Sequence, residues 1–237
     1  MLFMQNVKKK SVVILIGPPG AGKGTQGTLL AEKLNLYYFE TSKILELNFQ
    51  EHSESDFVEV AGVKYYFFQE ADNWKKGILC SPPFVSYLVQ EKIRDLFAKD
   101  NSLLLSGSPR TVFEGEQILP LLEELYGKEN IKVILLDIPP EQTIFRNSNR
   151  RLCQLMRHPI LYNEETKDLK NCPLDGSILM KREGLDDPET IKVRLKEYKE
   201  RTMPLLDYFT QQGTAIRKVD GMGPVDEVFG RASEALK

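Results

Sequence analysis

Three cysteines in 237 residues are too few, and odd in number, for the disulfide framework of a secreted scaffold. Net charge is nearly absent as well. A balance of −2 gives no broad positive field to hold nucleic acid or an anionic membrane surface. No apolar run approaches the roughly 20 residues needed to span a bilayer. The opening Met1-Leu2-Phe3-Met4 is too short for a secretory core and is followed by Lys8-Lys9-Lys10. The cytoplasm is therefore the expected compartment. Internal repeats and low-complexity tracts are missing too. Nothing demands a dimer, so a monomer is expected.

What is present is ordinary in bulk and specific in arrangement. Hydrophobic residues make up 41% and charged residues 28%, enough for one α/β domain with insertions or two small domains. Short apolar runs at Val12–Ile16, Tyr37–Phe39, Leu103–Leu105, Val133–Asp137 and Ala215–Val219 read as strands. Longer periodic stretches at Thr25–Leu34, Phe84–Lys99, Gly115–Tyr126, Pro140–Leu152, Pro188–Gln212 and Pro224–Leu236 read as helices. Their alternation predicts a parallel sheet wrapped by helices. Residues 42–76 and 152–181 break the alternation. The first holds two short helical pieces around a hairpin turning at Ala61-Gly62; the second carries Pro159, Pro173, Gly176, two cysteines and His158. Both read as excursions over the carboxyl edge of the sheet, where ligands bind and lids are inserted.

The strand Val12–Ile16 runs into Gly17-Pro18-Pro19-Gly20-Ala21-Gly22-Lys23-Gly24-Thr25-Gln26. Glycines let successive N–H groups turn inward on one anion, and the following helix adds its partial positive end. Lys23 brings a full charge for β- and γ-phosphates, so the segment is a nucleoside triphosphate loop. Gly24 stands where Ser or Thr is usual, with Thr25 one place later.

Phosphoryl transfer asks a protein for positioning, exclusion of water and positive charge. Arg110 follows a strand in Ser106-Gly107-Ser108-Pro109-Arg110-Thr111. Arg146, Arg150 and Arg151 fall on one expected helix, Arg182 ends the second excursion, and Arg194 opens the helix after it.

These stretches resemble the adenylate kinases and related nucleoside monophosphate kinases over nearly the whole chain. Gly17–Gln26 is similar to the family's phosphate loop, including Gly-Thr after the lysine. Glu40–Leu45 (ETSKIL) resembles a degenerate form of its S-T-G-D-L-L-R segment, and Ser106–Thr111 its D-G-F-P-R-T. Arg146–Arg151 (RNSNRR) resembles R-x-x-G-R-R, and Asp186–Leu195 (DDPETIKVRL) the family's acidic segment that ends in Arg-Leu.

The resemblance implies a three-layer α/β, parallel-sheet P-loop NTPase fold with acceptor-binding and lid insertions. Its divisions would be core over 1–41, acceptor-binding insertion over 42–76, core over 77–147, lid over 148–184 and core over 185–237. It implies reversible transfer of the γ-phosphoryl of Mg²⁺-bound ATP to AMP. Gly17, Gly20, Ala21, Gly22, Lys23 and Gly24 would hold the donor phosphates, with Thr25 near Mg²⁺ and Arg146 on the donor base. Arg150, Arg182 and Arg194 would clamp the moving phosphoryl group. Arg110 would hold the acceptor phosphate, with Thr41, Glu114 and Arg194 also on the acceptor side.

Departures from the family cluster on the acceptor half. Glu46 stands where the family has a second phosphate-binding arginine, with Lys43 the nearest cation in sequence. Glu114 falls near the glutamine that reads adenine; an ionised carboxylate there would suit guanine, unless Gln117 or a backbone group reads adenine. Ser106 replaces an aspartate of the Mg²⁺ water shell, a role Asp137 would be placed to take. The family's lid is often tied by zinc. Cys153, His158, Cys172 and Asp175 are all normal zinc ligands, although Met156 stands where a second cysteine would complete the first knuckle. A metal-free lid, or thiols packed as small hydrophobes, is equally open. Cys80 reads as a core thiol and His52 as solvated. Alternative functions keep the chemistry with GMP, CMP, UMP or dAMP as acceptor, or keep only nucleotide binding without turnover. A zinc-ribbon nucleic-acid binder sits poorly with the acidic balance.

Overall fold

Five consecutive apolar residues, four of them β-branched, make β1 (Val12–Ile16), and all five are buried. A strand without a polar face must be covered on both sides, which requires helices above and below it. The computed structural model, which describes residues 10–157, 159–181 and 186–237, shows that arrangement.

From β1 the chain passes through the glycine-rich turn into α1 (Lys23–Leu34), then β2 (Tyr37–Glu40) and α2 (Thr41–Glu51). A hairpin of β3 (Phe57–Val60) and β4 (Val63–Tyr66) leads to α3 (Phe67–Lys75) and α4 (Pro82–Ala98). The core resumes with β5 (Leu103–Ser106), α5 (Val112–Tyr126), β6 (Ile131–Asp137) and α6 (Pro140–Asn149). Three short strands follow, β7 (Arg151–Cys153), β8 (Pro159–Ile160) and β9 (Leu179–Met180). The chain closes with α7 (Pro188–Glu197), α8 (Met203–Gln211), β10 (Ile216–Asp220) and α9 (Val225–Ala235).

The main sheet has the order β10-β6-β1-β5-β2 and every pair in it is parallel. The side-chain alternation of the strands divides the core in two. Val12, Ile14, Ile16, Leu103 and Leu105 face one layer, packed by Phe84, Ile93, Ile118 and Phe209 of α4, α5 and α8. Val13, Leu15, Leu104 and Ile134 face the other, packed by Leu30, Val228 and Ala232 of α1 and α9. The expected three-layer phosphate-loop fold is present. No helix among the described residues is long and apolar enough to cross a membrane.

The strands lie close to where the apolar runs place them; several helix ends differ, α4 starting at Pro82 before the expected Phe84 and α5 at Val112 before the expected Gly115. α1 begins at Lys23, two residues before the expected Thr25, because the turn itself winds into the helix. α6 stops at Asn149, so Arg150 caps it and Arg151 opens β7. The expected helix to Leu152 loses its last turn because Arg151–Cys153 pairs with both β8 and β9. The long helix from Pro188 is interrupted by a π-helical turn at Tyr198–Thr202. Pro204 lies two residues beyond it; its ring cannot accommodate the carbonyl of a normal preceding turn, and the widened turn relieves that clash.

Of the two excursions, the first is α2, the β3–β4 hairpin and α3, and its turn has Ala61 at φ 51° and Gly62 at φ 79°. Two successive left-handed residues match the twist of a two-residue hairpin, and glycine supplies one of them without strain. Cys80 is buried in the core as expected. His52 is exposed, with its ring stacked 3.8 Å from that of Phe67.

Candidate functional site

The turn after β1 carries Gly20 at φ 80° and Gly22 at φ 87°. A side chain at Gly20 would also strike Asn147, whose Nδ2 would lie 2.6 Å from the added carbon. Gly22 precedes α1 and offers no side-chain cap. The first-turn N–H groups of α1 have no acceptor inside the helix, which is the condition for an anion site. Lys23 lies across its own loop, its Nζ donating to the carbonyls of Gly17 (2.7 Å) and Pro18 (2.9 Å). Gly17, Gly20, Ala21, Gly22, Lys23, Gly24 and Thr25 all border one cleft of about 940 Å³. That is near the top of the range of roughly 300–1,000 Å³ usual for one small-molecule site.

The same cleft is bordered by Arg110, Arg146, Arg150 and Arg194. Arg146 rises from α6 and donates to the Gly20 carbonyl (3.5 Å) and the Gly221 carbonyl (3.0 Å). Burial lowers its guanidinium from the usual range, and the charge of Asp220 opposes that shift. Arg150 grips Asp186 through two donors, Nη2 to Oδ1 at 2.6 Å and Nε to Oδ2 at 3.4 Å. Arg194, from α7, lies 3.9 Å from the same Oδ1. The side chain of Asp186 is 1% exposed, so one buried carboxylate anchors two arginines at the rim of the cleft. The sequence placed Asp186 in a matching motif without assigning it this part. Arg182 lies outside the described residues. Arg151 does not join the group; its guanidinium holds the carbonyls of Leu169 and Thr166.

Arg110 sits on the loop after β5, beyond a cis Ser108–Pro109 bond. Glu114 organises that loop. It accepts from the Arg110 N–H (2.9 Å), the Ser108 hydroxyl (3.2 Å) and the Thr111 hydroxyl (3.3 Å). Thr111 accepts in return from the Glu114 N–H (3.1 Å). Burial pushes the Glu114 carboxyl above its ordinary value, opposed chiefly by the Arg110 N–H. Glu114 does border the cleft, but its oxygens are committed to the loop. The signal was legible: Thr111-Val112-Phe113-Glu114 has the spacing of a helix capping box.

On the α2 side, Thr41 and Glu46 border the cleft. The buried Thr41 hydroxyl has no hydrogen-bond partner among the described residues. Lys43, the nearest cation in sequence, borders the cleft and lies 3.4 Å from Glu40. Three residues along α2 from Lys43, Glu46 instead meets Arg157 of the second excursion, at 3.5 Å. Asp137 also departs from expectation. It pairs with Lys218 at 2.8 Å and does not border the cleft. The carboxylate beside Ser106 is Glu40, its register partner on β2, and Glu40 does border the cleft.

The second excursion brings Cys153, Cys172 and Asp175 together, one ligand atom from each lying within 4.8 Å of the others. The Cys153 thiol donates to Asp175 at 3.0 Å. That hydrogen bond and those from Ser177 hold the Asp175 carboxyl well below the usual carboxylate range. His158, the fourth expected ligand, lies outside the described residues. Met156 is 63% exposed.

The family model described as adenylate kinase matches residues 15–214. An adenylate kinase of Methanothrix thermoacetophila is 32% identical over 229 residues, covering 94% of this chain and 97% of that protein. An adenylate kinase of Oceanobacillus iheyensis is 35% identical over 222 residues, covering 92% and 94%. One from Streptomyces coelicolor is 32% identical over 235 residues, covering 95% and 98%. The match spans the phosphate loop, the loop of Arg110 and the arginines anchored by Asp186, and the chain belongs to the adenylate kinase family.

Proposed function

We propose that this chain transfers the γ-phosphoryl group of Mg²⁺-bound ATP to AMP, reversibly, giving two molecules of ADP. The observation that carries the reading is one cleft holding Lys23, Arg110 and the arginine pair anchored by Asp186. The acceptor is already an anionic phosphate, so the chemistry needs no general base. It needs two phosphates in line, surrounded by fixed positive charge and kept from water. Lys23 and the first-turn amides of α1 take the donor phosphates. The Lys23 ammonium, which donates to the Gly17 and Pro18 carbonyls, turns its hydrogen bonds toward the phosphate oxygens. Arg146 lies over the loop and floors the donor base, while Arg150, Arg194 and Arg182 surround the moving group. Arg110 meets the acceptor phosphate, with the Thr41 hydroxyl, which has no partner among the described residues, as a further donor on that wall. Residues 42–76 serve as the acceptor-binding unit and 148–184 as the lid.

Bound with ATP, Mg²⁺ would supply charge neutralisation at the donor phosphates. The Thr25 hydroxyl and the Glu40 carboxylate are hard oxygen donors on the cleft wall and suit it. In the lid, Cys153, Cys172 and Asp175 suit zinc, with His158 as the fourth ligand. The chain works as a monomer in the cytoplasm, without nucleic acid or membrane.

The hydrogen bonds that tie Glu114 to the Arg110 loop support adenine over guanine as the acceptor base. A coupled assay with Mg²⁺-ATP and each of AMP, GMP, CMP, UMP and dAMP tests the reading. Turnover should be fastest with AMP. Faster turnover with GMP would overturn the acceptor assignment, and none with any acceptor would leave a nucleotide-binding module.

A further inference from the structure

The acceptor side of the cleft has a charge problem. Glu46 puts a carboxylate on the wall where a phosphate dianion must settle, and like charges there oppose binding. The cation that answers it comes from across the cleft. Arg157 lies in the second excursion, its Nη2 3.5 Å from Oε1 of Glu46, and both residues border the same cleft as Arg110. The Arg157 side chain is 55% exposed and that of Glu46 23%, so the pair has an open side. The turn that carries Arg157 is braced. Its N–H donates to the Cys153 carbonyl at 3.0 Å, and the Leu155 N–H donates to the Ser177 hydroxyl at 3.2 Å.

We propose that Arg157 is the second acceptor-phosphate ligand of this enzyme, docked by Glu46 and supplied only when the lid lies over the acceptor site. A guanidinium carries five N–H donors. A carboxylate engages at most two of them in a side-on pair, which leaves donors for phosphate oxygens. Glu46 alone repels the acceptor; Glu46 paired with Arg157 is neutral and presents a donor fork. Acceptor affinity therefore depends on lid position. Whatever favours the closed lid strengthens acceptor binding, and thermodynamic linkage makes the effect mutual. An arginine fixed on α2 would bind the acceptor in either lid state. Moving the charge to the lid makes acceptor and donor binding cooperative.

The proposal rests on AMP as the acceptor, and calorimetric titration separates the two. AMP is titrated into the whole protein with and without a saturating, non-hydrolysable ATP analogue that has an imido β–γ bridge. Wild type should bind AMP about tenfold more tightly with the analogue present, within the range usual for coupled sites. Arg157→Ala should lose that gain and raise KM for AMP about tenfold, while its affinity for the analogue titrated without AMP stays within about twofold of wild type. Arg157→Lys should recover part of it. Glu46→Arg in the Arg157→Ala background should bind AMP tightly whether or not the analogue is present. Wild type that binds AMP in neither condition would sink the acceptor reading, and this proposal with it. Wild type that binds AMP while Arg157→Ala keeps the full coupling overturns the proposal alone.

Discussion

Arg150 and Asp186 are joined at 2.6 Å, through a carboxylate whose side chain is 1% exposed. Arg194 lies 3.9 Å from the same oxygen. Long arginine side chains carry considerable rotamer freedom; the buried anion restricts it for Arg150 by hydrogen bonds and attracts Arg194 across a longer ion pair. Asp186→Asn keeps the shape and discards the charge. The arginines would then be held loosely, and misplacement of about 1 Å can cost roughly 10²-fold in rate. The variant should lose about 10- to 100-fold in kcat with KM for ATP nearly unchanged. Both arginines are partly exposed, so water can satisfy their freed donors and stability should fall little. Steady-state kinetics beside a thermal melt separate these effects. An unchanged kcat would mean that Asp186 does not position them.

Lys23 supplies the one full charge built into the phosphate loop, and it already bridges two loop carbonyls. Lys23→Ala should reduce turnover by at least about 10³-fold, at the upper end of what loss of a single charge-stabilising donor costs. The fold should survive, because the loop is shaped by glycine conformations and not by the lysine. A rate within tenfold of wild type, in a protein with a normal melting curve, would show that the loop does not hold the donor.

How much of this was legible follows from what is local. The apolar run of β1 and the glycine spacing after it determine the strand, the turn and the place of Lys23, because the forces involved act within ten residues. Arg110, Arg146, Arg150 and Arg194 were found from their positions after strands and at insertion edges. Their common anchor was not, since Asp186 meets Arg150 only through tertiary packing. Glu114 differs: its motif position points to the acceptor base, while the local Thr111–Glu114 capping spacing points to the loop contacts it makes. The end of α6 and the π-turn before Pro204 depend on competing contacts, the pairing of β7 with β8 and β9 in one case and the proline ring against a preceding carbonyl in the other. Glu46 stood out in the sequence, but its partner Arg157 lies more than a hundred residues away in an excursion without periodicity.

Glu114 also gives the protein a pH signature. Burial raises its folded-state value above the ordinary glutamate value of roughly 4.3. The folded state thus holds this proton more tightly than the unfolded chain does. The associated stability is fully present below the unfolded value and is lost as pH rises through the raised folded value. Glu114→Gln has no proton to lose there. Urea unfolding of both proteins across the acidic range should show the stability of wild type, relative to the variant, falling as pH rises. A difference that is flat or grows with pH would contradict the burial argument.

The cysteines of the second excursion decide between metal and packing. Cys153 and Cys172 are buried with Ile160 against Leu179, as small hydrophobes would be. Asp175 does not fit that account, because a carboxylate 3.0 Å from a buried thiol contributes nothing to apolar packing. Two sulfurs and a carboxylate within 4.8 Å form most of a tetrahedral zinc shell, and His158 is near enough in sequence to complete it. Purified protein should carry about one zinc per chain after gel filtration. Chelation should lower the melting temperature, since structural zinc contributes directly to folding. Cys172→Ser should bind less metal and melt like the chelated wild type. The Arg157 N–H hangs on the Cys153 carbonyl, so chelation should also weaken AMP binding in the presence of the ATP analogue. Metal-free protein whose melting curve ignores the chelator would leave the thiols as packing groups, and the lid would be held by its hydrogen bonds alone.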